Sequence, residues 1–466
     1  MTSTLIAILS LIVLGIPITL AIDRSARGPL LIGAAYLYGS GTMFLILLTL
    51  SIVHLHWTLI AVTVVALLIF SAAAILAGRQ PGNRATRQPS NSATQQPSNP
   101  KPHAFDAITI LIITAYALYA TLASLWEWDY WAIWGLKAEQ FLEIGGIDWR
   151  FLESRWNTFA HPDYPLLVPM NFDFVALING GWSDRWLGLL FVAWGIALLL
   201  VVRALASRET TPFYAALLTM AVAGLAVSRY VGLAEGTLIA FGGAGVLFIR
   251  TALIEDDRAC WRHGALMLGF AANCKNEGMA LLVAATIAVI AVAWSRSRAV
   301  SRGGGAARPR NRETARPLRY LASAYALAAP WLILRAFHTL PTDIAGGSAT
   351  SRLLARLPYA HQILGFLAAR LNEPWFWVAI LAGILIAPTA ARRREVFVFL
   401  VTAIQLLFYV AAYLSTPHNI RWHVLTSWPR LTAQIAVPIT VAVFLMLANS
   451  LRRSQDAPHA EVGSDQ

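Results

Sequence analysis

The chain has 466 residues, of which 57% are hydrophobic and only 13% charged, with a formal net charge of +12 and two cysteines. Soluble domains hold about a quarter of their residues as charged side chains, so this composition excludes a soluble protein and defines an integral membrane protein. The basic residues do not share a face with exposed aromatics, which sets nucleic acid aside as a partner.

Apolar stretches able to cross about 30 Å of hydrocarbon recur near 4–22, 29–52, 56–77, 105–125, 185–203, 211–228, 232–250, 261–274, 278–294, 319–338, 374–390, 396–413 and 431–450. They predict an all-α polytopic membrane fold of about thirteen transmembrane helices. The first lacks the basic flank and small-residue cleavage site of a signal peptide and is read as a retained helix. Residues 1–78 form a three-helix N-terminal unit, followed at 79–104 by a Pro-, Ser-, Asn- and Gln-rich segment read as a disordered cytoplasmic linker. Residues 105–450 make the core, with outward loops at 126–184, 339–373 and 414–430, and 451–466 a cytoplasmic tail. The first loop opens WEWDYWAIWGLKAEQF, residues 126–141. Trp131, Trp134, Ala138, Phe141 and Leu142 recur there at helical spacing against Lys137, Glu139, Gln140 and Glu143, which predicts an amphipathic helix lying in the membrane interface. Leu353, Leu354 and Leu357 against Arg352 and Arg356 repeat the pattern in the second loop. Cys260 and Cys274 stand at opposite ends of one span, about 21 Å apart, beyond the reach of a disulfide.

Arginine and lysine orient the spans. Arg24 and Arg27, the linker cations, Arg203 and Arg208, the group Arg250, Arg258 and Arg262, the cluster from Arg296 to Arg319, Arg392 to Arg394, and Arg452 and Arg453 all fall on one side. They make up two thirds of the 36 basic residues. That side is cytoplasmic, with the N-terminus outside, and its charge is accounted for by topology and anionic lipid. The polar residues least like padding come out together on the opposite side: Asp129, His161 and Asp163 in HPDYPLL, Glu235 in AEGTL, Lys275 and Glu277 in CKNEG, and His418, Arg421 and His423 in HNIRWH. Each lies within a few residues of a span end, and acids, histidines and strong cations at one depth mark a site. Local explanations compete: Asp129 as a helix cap, His161 and Asp163 as turn formers, Arg352 and Arg356 reaching to lipid head groups.

The run WEWDYWAIWGLKAEQF, then HPDYPLLVP, AEGTL, KNEG and IRWHVLTSWPRL, taken in order, resembles the membrane glycosyltransferases of the GT-C superfamily. The likeness is to bacterial relatives of protein O-mannosyltransferases and the lipid A aminoarabinose transferase, and it covers about 105–450. It implies a multi-span helical fold whose catalytic aspartate sits in the first large outward loop, the place of Asp129, and a polyprenyl-phosphate-linked sugar donor. Two positions depart from the family pattern: an Asp-Glu pair is replaced by Glu127-Trp-Asp129, and a later Asp by Glu235.

The residue types fit such chemistry. Inverting transfer needs a carboxylate to take the acceptor hydroxyl's proton, a role for Asp129, and cations fixed where the leaving phosphate gathers charge, roles for Lys275, Arg421 and His423. His161, Asp163, Glu235 and Glu277 remain to orient the acceptor or to hold a divalent cation, a weak ligand set because its members lie on distant segments. The acceptor is left open among glycan, lipid and protein. The preference for Arg over Lys and the alanine content point to a bacterium of high genomic GC, hence the inner membrane, an undecaprenyl-type donor and a periplasmic site. A transporter or flippase, or a polyprenyl-linked polysaccharide polymerase or ligase, shares the sidedness.

Overall fold

In the computed structural model, which describes residues 1–79, 103–228, 231–302, 310–342, 348–369 and 374–456, every regular element is helical. The expected linker therefore lies almost entirely outside the described residues. In chain order the helices are α1 (Thr2–Ile22), α2 (Gly28–Ile52), α3 (Leu59–Arg79), α4 (Ala104–Leu122), a π-helical turn (Tyr130–Trp134), α5 (Gly135–Ile144), α6 (Trp149–Glu153), α7 (Leu167–Asn179), α8 (Gly188–Glu209), α9 (Pro212–Val227) and α10 (Glu235–Glu255). They continue with α11 (Arg258–Ala271), α12 (Asn276–Arg302), α13 (Arg310–Phe337), α14 (Ala349–Arg356), α15 (Ala360–Ala369), α16 (Pro374–Ile386), α17 (Thr389–Arg394), α18 (Val396–Ser415) and α19 (Ile420–Asp456).

Among the described residues ten helices are long and apolar enough to cross a membrane, or eleven if the bent segment from α14 to α16 counts as one span. This is a multi-pass membrane protein. The stretches expected to span at 211–228 and 261–274 are α9 and α11, of 16 and 14 residues, which at 1.5 Å per residue reach only about 24 and 21 Å. Local rules start both: Thr211 accepts from Tyr214 N ahead of Pro212, and Asp257 accepts from the amides of Ala259 and Cys260.

The N-terminal helices are built into the core. Gly15 and Gly39 let α1 and α2 meet backbone to backbone, since a Cβ on either would lie 1.8 Å from a carbonyl oxygen of the other helix. Small residues serve this close approach in membranes, where burial in lipid gives helices no hydrophobic drive to associate. Ser40 on α2 then ties three helices, donating to Asn171 Oδ1 of α7 at 3.0 Å and accepting from Trp194 Nε1 of α8 at 2.9 Å. Tyr38 reaches His263 of α11 at 2.9 Å.

The loop 126–184 holds more structure than the sequence predicts. Helix α7 is buried along most of its length, and no polar face announced it, because a helix enclosed on all sides has no amphipathic pattern to read. The amphipathic helix expected at the membrane interface exists as the π-turn and α5, but its apolar face is turned into the protein: Trp134, Ala138 and Phe141 are fully buried, and Phe141 meets Trp57 edge to face at 6.3 Å. Lys137, expected on the polar face, is buried with them.

Two ion clusters mark opposite ends of the bundle, and α10 runs from one to the other. Near its C-terminal end Arg250, buried, pairs with Glu209 of α8 and with Glu395, which starts α18; Arg394 also reaches Glu209 at 2.8 Å. At its first residue, Glu235 belongs to the other cluster, about 22 Å away along the helix.

Candidate active site

Five charged side chains from four parts of the chain form a continuous row. Arg430 of α19 lies 3.0 Å from Asp129 Oδ2 and 3.3 Å from Glu235 Oε1. Lys275, in the turn between α11 and α12, donates to Glu235 Oε1 at 2.8 Å and pairs with Glu277 at 3.1 Å. Every buried charge in this row thus has an opposite neighbour, which offsets the cost of burying it. Burial disfavours the Lys275 ammonium, but the carboxylates of Glu235 and Glu277 outweigh it and hold the group above the ordinary lysine range.

Asp129 does not act as a helix cap: it precedes the π-turn with a helical backbone and makes no capping hydrogen bond. Its Oδ2 pairs with Arg430, and its Oδ1 has no hydrogen bond among the described residues. The turn that follows is a π-helix, an uncommon form often found at functional sites. Trp126, Trp128 and Trp131 around it are exposed. The loop ahead of α10 is pressed on this turn at Gly232, whose φ is +105° and whose added Cβ would lie 2.4 Å from Tyr130 Cβ. That contact carries Glu235 to within reach of the residues beside Asp129.

A second arc adjoins the first. His161 ends a short 3₁₀ turn with a left-handed backbone, φ +46°, and stacks on Tyr164 at 4.6 Å, which stacks on Trp134 at 5.7 Å. The ammonium groups of Lys137 and Lys275 lie 5.9 and 5.8 Å from the centre of the Tyr164 ring. Lys137 donates to the His161 carbonyl at 2.6 Å, and burial pushes it down to about 7, the Asp163 carboxylate offsetting only part of the loss. Asp163 Oδ2 accepts from Asn276 at 3.0 Å and faces Arg335 at 3.5 Å, while its Oδ1 is buried without a partner.

The expected residues Asp129, Glu235, Lys275 and Glu277 therefore meet, with His161 and Asp163 beside them. Two expected phosphate ligands do not. Helix α19 begins at Ile420 and runs through Pro429, so Arg421 and Arg430 are nine positions apart, about half a turn round and 13 Å along. Arg421 is exposed and makes no ion pair among the described residues. His423 shares a hydrogen bond with Thr416 at 2.9 Å and packs on Tyr413, apart from Asp129. Arg430 takes the place expected of Arg421. The last span was expected at 431–450, but the helix starts at Ile420 and runs through Pro429, a residue that membrane helices tolerate.

Lys137 was legible in principle: three residues after Trp134 and four before Phe141, it sits on the buried stripe by helical spacing alone. Arg352 and Arg356, expected to reach for lipid, instead donate to the carbonyls of Ser415 and Thr416, each at 2.7 Å, and tie α14 to the end of α18. No group of three metal-ligating side chains converges among the described residues, so His161, Asp163 and Glu235 do not form the cation site the sequence left open. Compared with known proteins, the chain matches no family model, no curated protein and no solved structure.

Proposed function

We propose that the protein is a membrane glycosyltransferase of the GT-C type, moving a sugar from a polyprenyl-phosphate donor to an acceptor hydroxyl on the periplasmic face of a bacterial inner membrane, with inversion. The observation that carries this reading is the state of Asp129: Arg430 fixes one carboxylate oxygen beside exposed tryptophans, and the other has no hydrogen bond among the described residues. A general base needs this combination of fixed geometry and a free acceptor.

In this mechanism the acceptor oxygen attacks the anomeric carbon as its proton passes to Asp129 Oδ1. The bond from that carbon to the phosphate oxygen breaks, and its electron pair leaves with the polyprenyl phosphate. Arg430 holds the base and supplies positive charge near the departing phosphate, in the role first given to Arg421. Lys275 is enclosed by Glu235 and Glu277, of which Glu277 is the more exposed, so a phosphate reaching Lys275 displaces Glu277 first. His161, stacked on Tyr164, and Asp163 shape the wall opposite α10.

The test is turnover of a panel of polyprenyl-phosphate sugars by the full-length protein in nanodiscs. Asp129→Asn is expected to lower kcat by on the order of 10²–10⁴. Undiminished turnover would remove Asp129 as the base. Solute flux in vesicles, with no lipid-linked sugar consumed, would favour a transporter.

A further inference from the structure

Between α6 and the end of α13 lies a cavity of ≈ 580 Å³, lined by Glu153, Arg155, Phe337, His338, Thr339 and Pro341. It is separate from the Asp129 row. His338 is held on two sides by one helical turn. Its imidazole lies flat on the Trp149 indole, with centroids 3.6 Å apart and planes within 2°, and its Nδ1 meets Glu153 Oε1 at 2.7 Å. Trp149 and Glu153 are four residues apart, so α6 presents both from one face.

This arrangement fixes the chemistry of the ring. A carboxylate oxygen only accepts, so Nδ1 carries the hydrogen and donates it. The free valence is Nε2, which makes no hydrogen bond among the described residues. Arg155, two positions beyond Glu153, also lines the cavity and has no ion pair or hydrogen-bond partner there. Arg335, in the last turn of α13 just ahead of His338, is engaged with Asp163. The charged groups facing His338 are therefore Glu153, already bonded to it, and Arg155, uncommitted.

We infer that this cavity is an oxyanion subsite, taking a phosphate group between the Arg155 guanidinium and the Nε2 of His338. A planar guanidinium matches the paired oxygens of phosphate, and Nε2 can share the hydrogen of a P–OH group. The phosphate is carried by either an anionic lipid or a phosphorylated solute. Phe337, in the lining, is 80% exposed and places apolar surface next to that pair. The inference stands apart from sugar transfer and survives if that reading fails.

The experiment follows the His338 imidazole by NMR in the full-length protein, labelled at histidine nitrogens and held in neutral phosphatidylcholine nanodiscs, with His338→Gln to assign the signal. Inorganic phosphate is expected to shift the Nε2 resonance saturably. Chloride at equal ionic strength is expected to leave it in place. Arg155→Ala should weaken phosphate binding at least about tenfold, Arg155→Lys should restore part of it, and Asp129→Asn should leave it unchanged. If nanodiscs containing phosphatidylglycerol produce the shift without added phosphate and block further change, the source is lipid; if only phosphate acts, it is a solute. A His338 signal indifferent to both, or binding unchanged in Arg155→Ala, would overturn the proposal.

Discussion

Asp129 acquires its meaning from Arg430. With the carboxylate's Oδ2 held at 3.0 Å, the side chain forgoes the capping position that its place before a helix offers. Replacing Arg430 by Met removes the cation shared by Asp129 and Glu235, and is expected to lower turnover by on the order of 10²-fold. Arg421→Ala should leave it within about twofold, as for an exposed residue without partners. Steady-state rates of the two variants, measured side by side, decide between the arginines. Lys137 offers a second test. Its ammonium is displaced from an ordinary value of 10.5 to about 7, so between those values the unfolded chain holds more protons than the folded one. Stability contributed by the neutral amine is then full above pH 10.5 and is lost as pH falls toward 7. The thermal midpoint of the native protein is expected to rise from pH 7 to 10, and Lys137→Met to flatten that rise in the same scan.

At the scale of the element, the π-turn, the loop before α10, the turn between α11 and α12 and the first eleven residues of α19 hold the site. Gly232 joins two of these, because only a residue without a side chain fits against Tyr130 at φ +105°. Gly232→Ala adds both a clash and backbone strain, together on the order of 1–3 kcal/mol. A lowered thermal midpoint with loss of turnover is expected, and unaltered activity would show that Glu235 does not depend on this contact. The helices foreseen with nearly the right bounds are the long apolar ones, α2 and α10 among them although both are largely enclosed. Helix α7 and the start of α19 were not: the first is short as well as enclosed, and the second lies ahead of the apolar stretch, with Pro429 inside the helix.

The whole molecule is organised around α10, with an ion cluster at either end. Arg250, between Glu209 and Glu395, joins α8, α10 and the start of α18. Removing one partner of a buried cluster strands the other charges, so Arg250→Leu should cost about 3–5 kcal/mol. A fall in the thermal midpoint and in monodisperse yield from detergent would show it, and a wild-type midpoint would mean that the cluster is dispensable. The N-terminal helices share this scale. The polar stretch at 79–104 made α1 to α3 look detachable, yet α2 is tied to α7, α8 and α11 by Ser40 and Tyr38. A linker's composition describes the linker and says nothing of how its two flanks pack.

What the sequence determined by itself is the class of protein and the grouping of its polar residues. Apolar length and the alternation of arginine-rich loops are properties of the linear chain, and they grouped Asp129, His161, Asp163, Glu235, Lys275 and Glu277 with His418, Arg421 and His423 before any contact was known, although Arg421 and His423 stay apart from the row. Which of them touch, and through whom, belonged to the tertiary structure. Partner choice depends on helix rotation: half a turn of α19 exchanges Arg421 for Arg430, and the docking of α5 against protein rather than lipid buries Lys137. Such rotations are set by the packing of side chains distant in sequence, which no local pattern encodes.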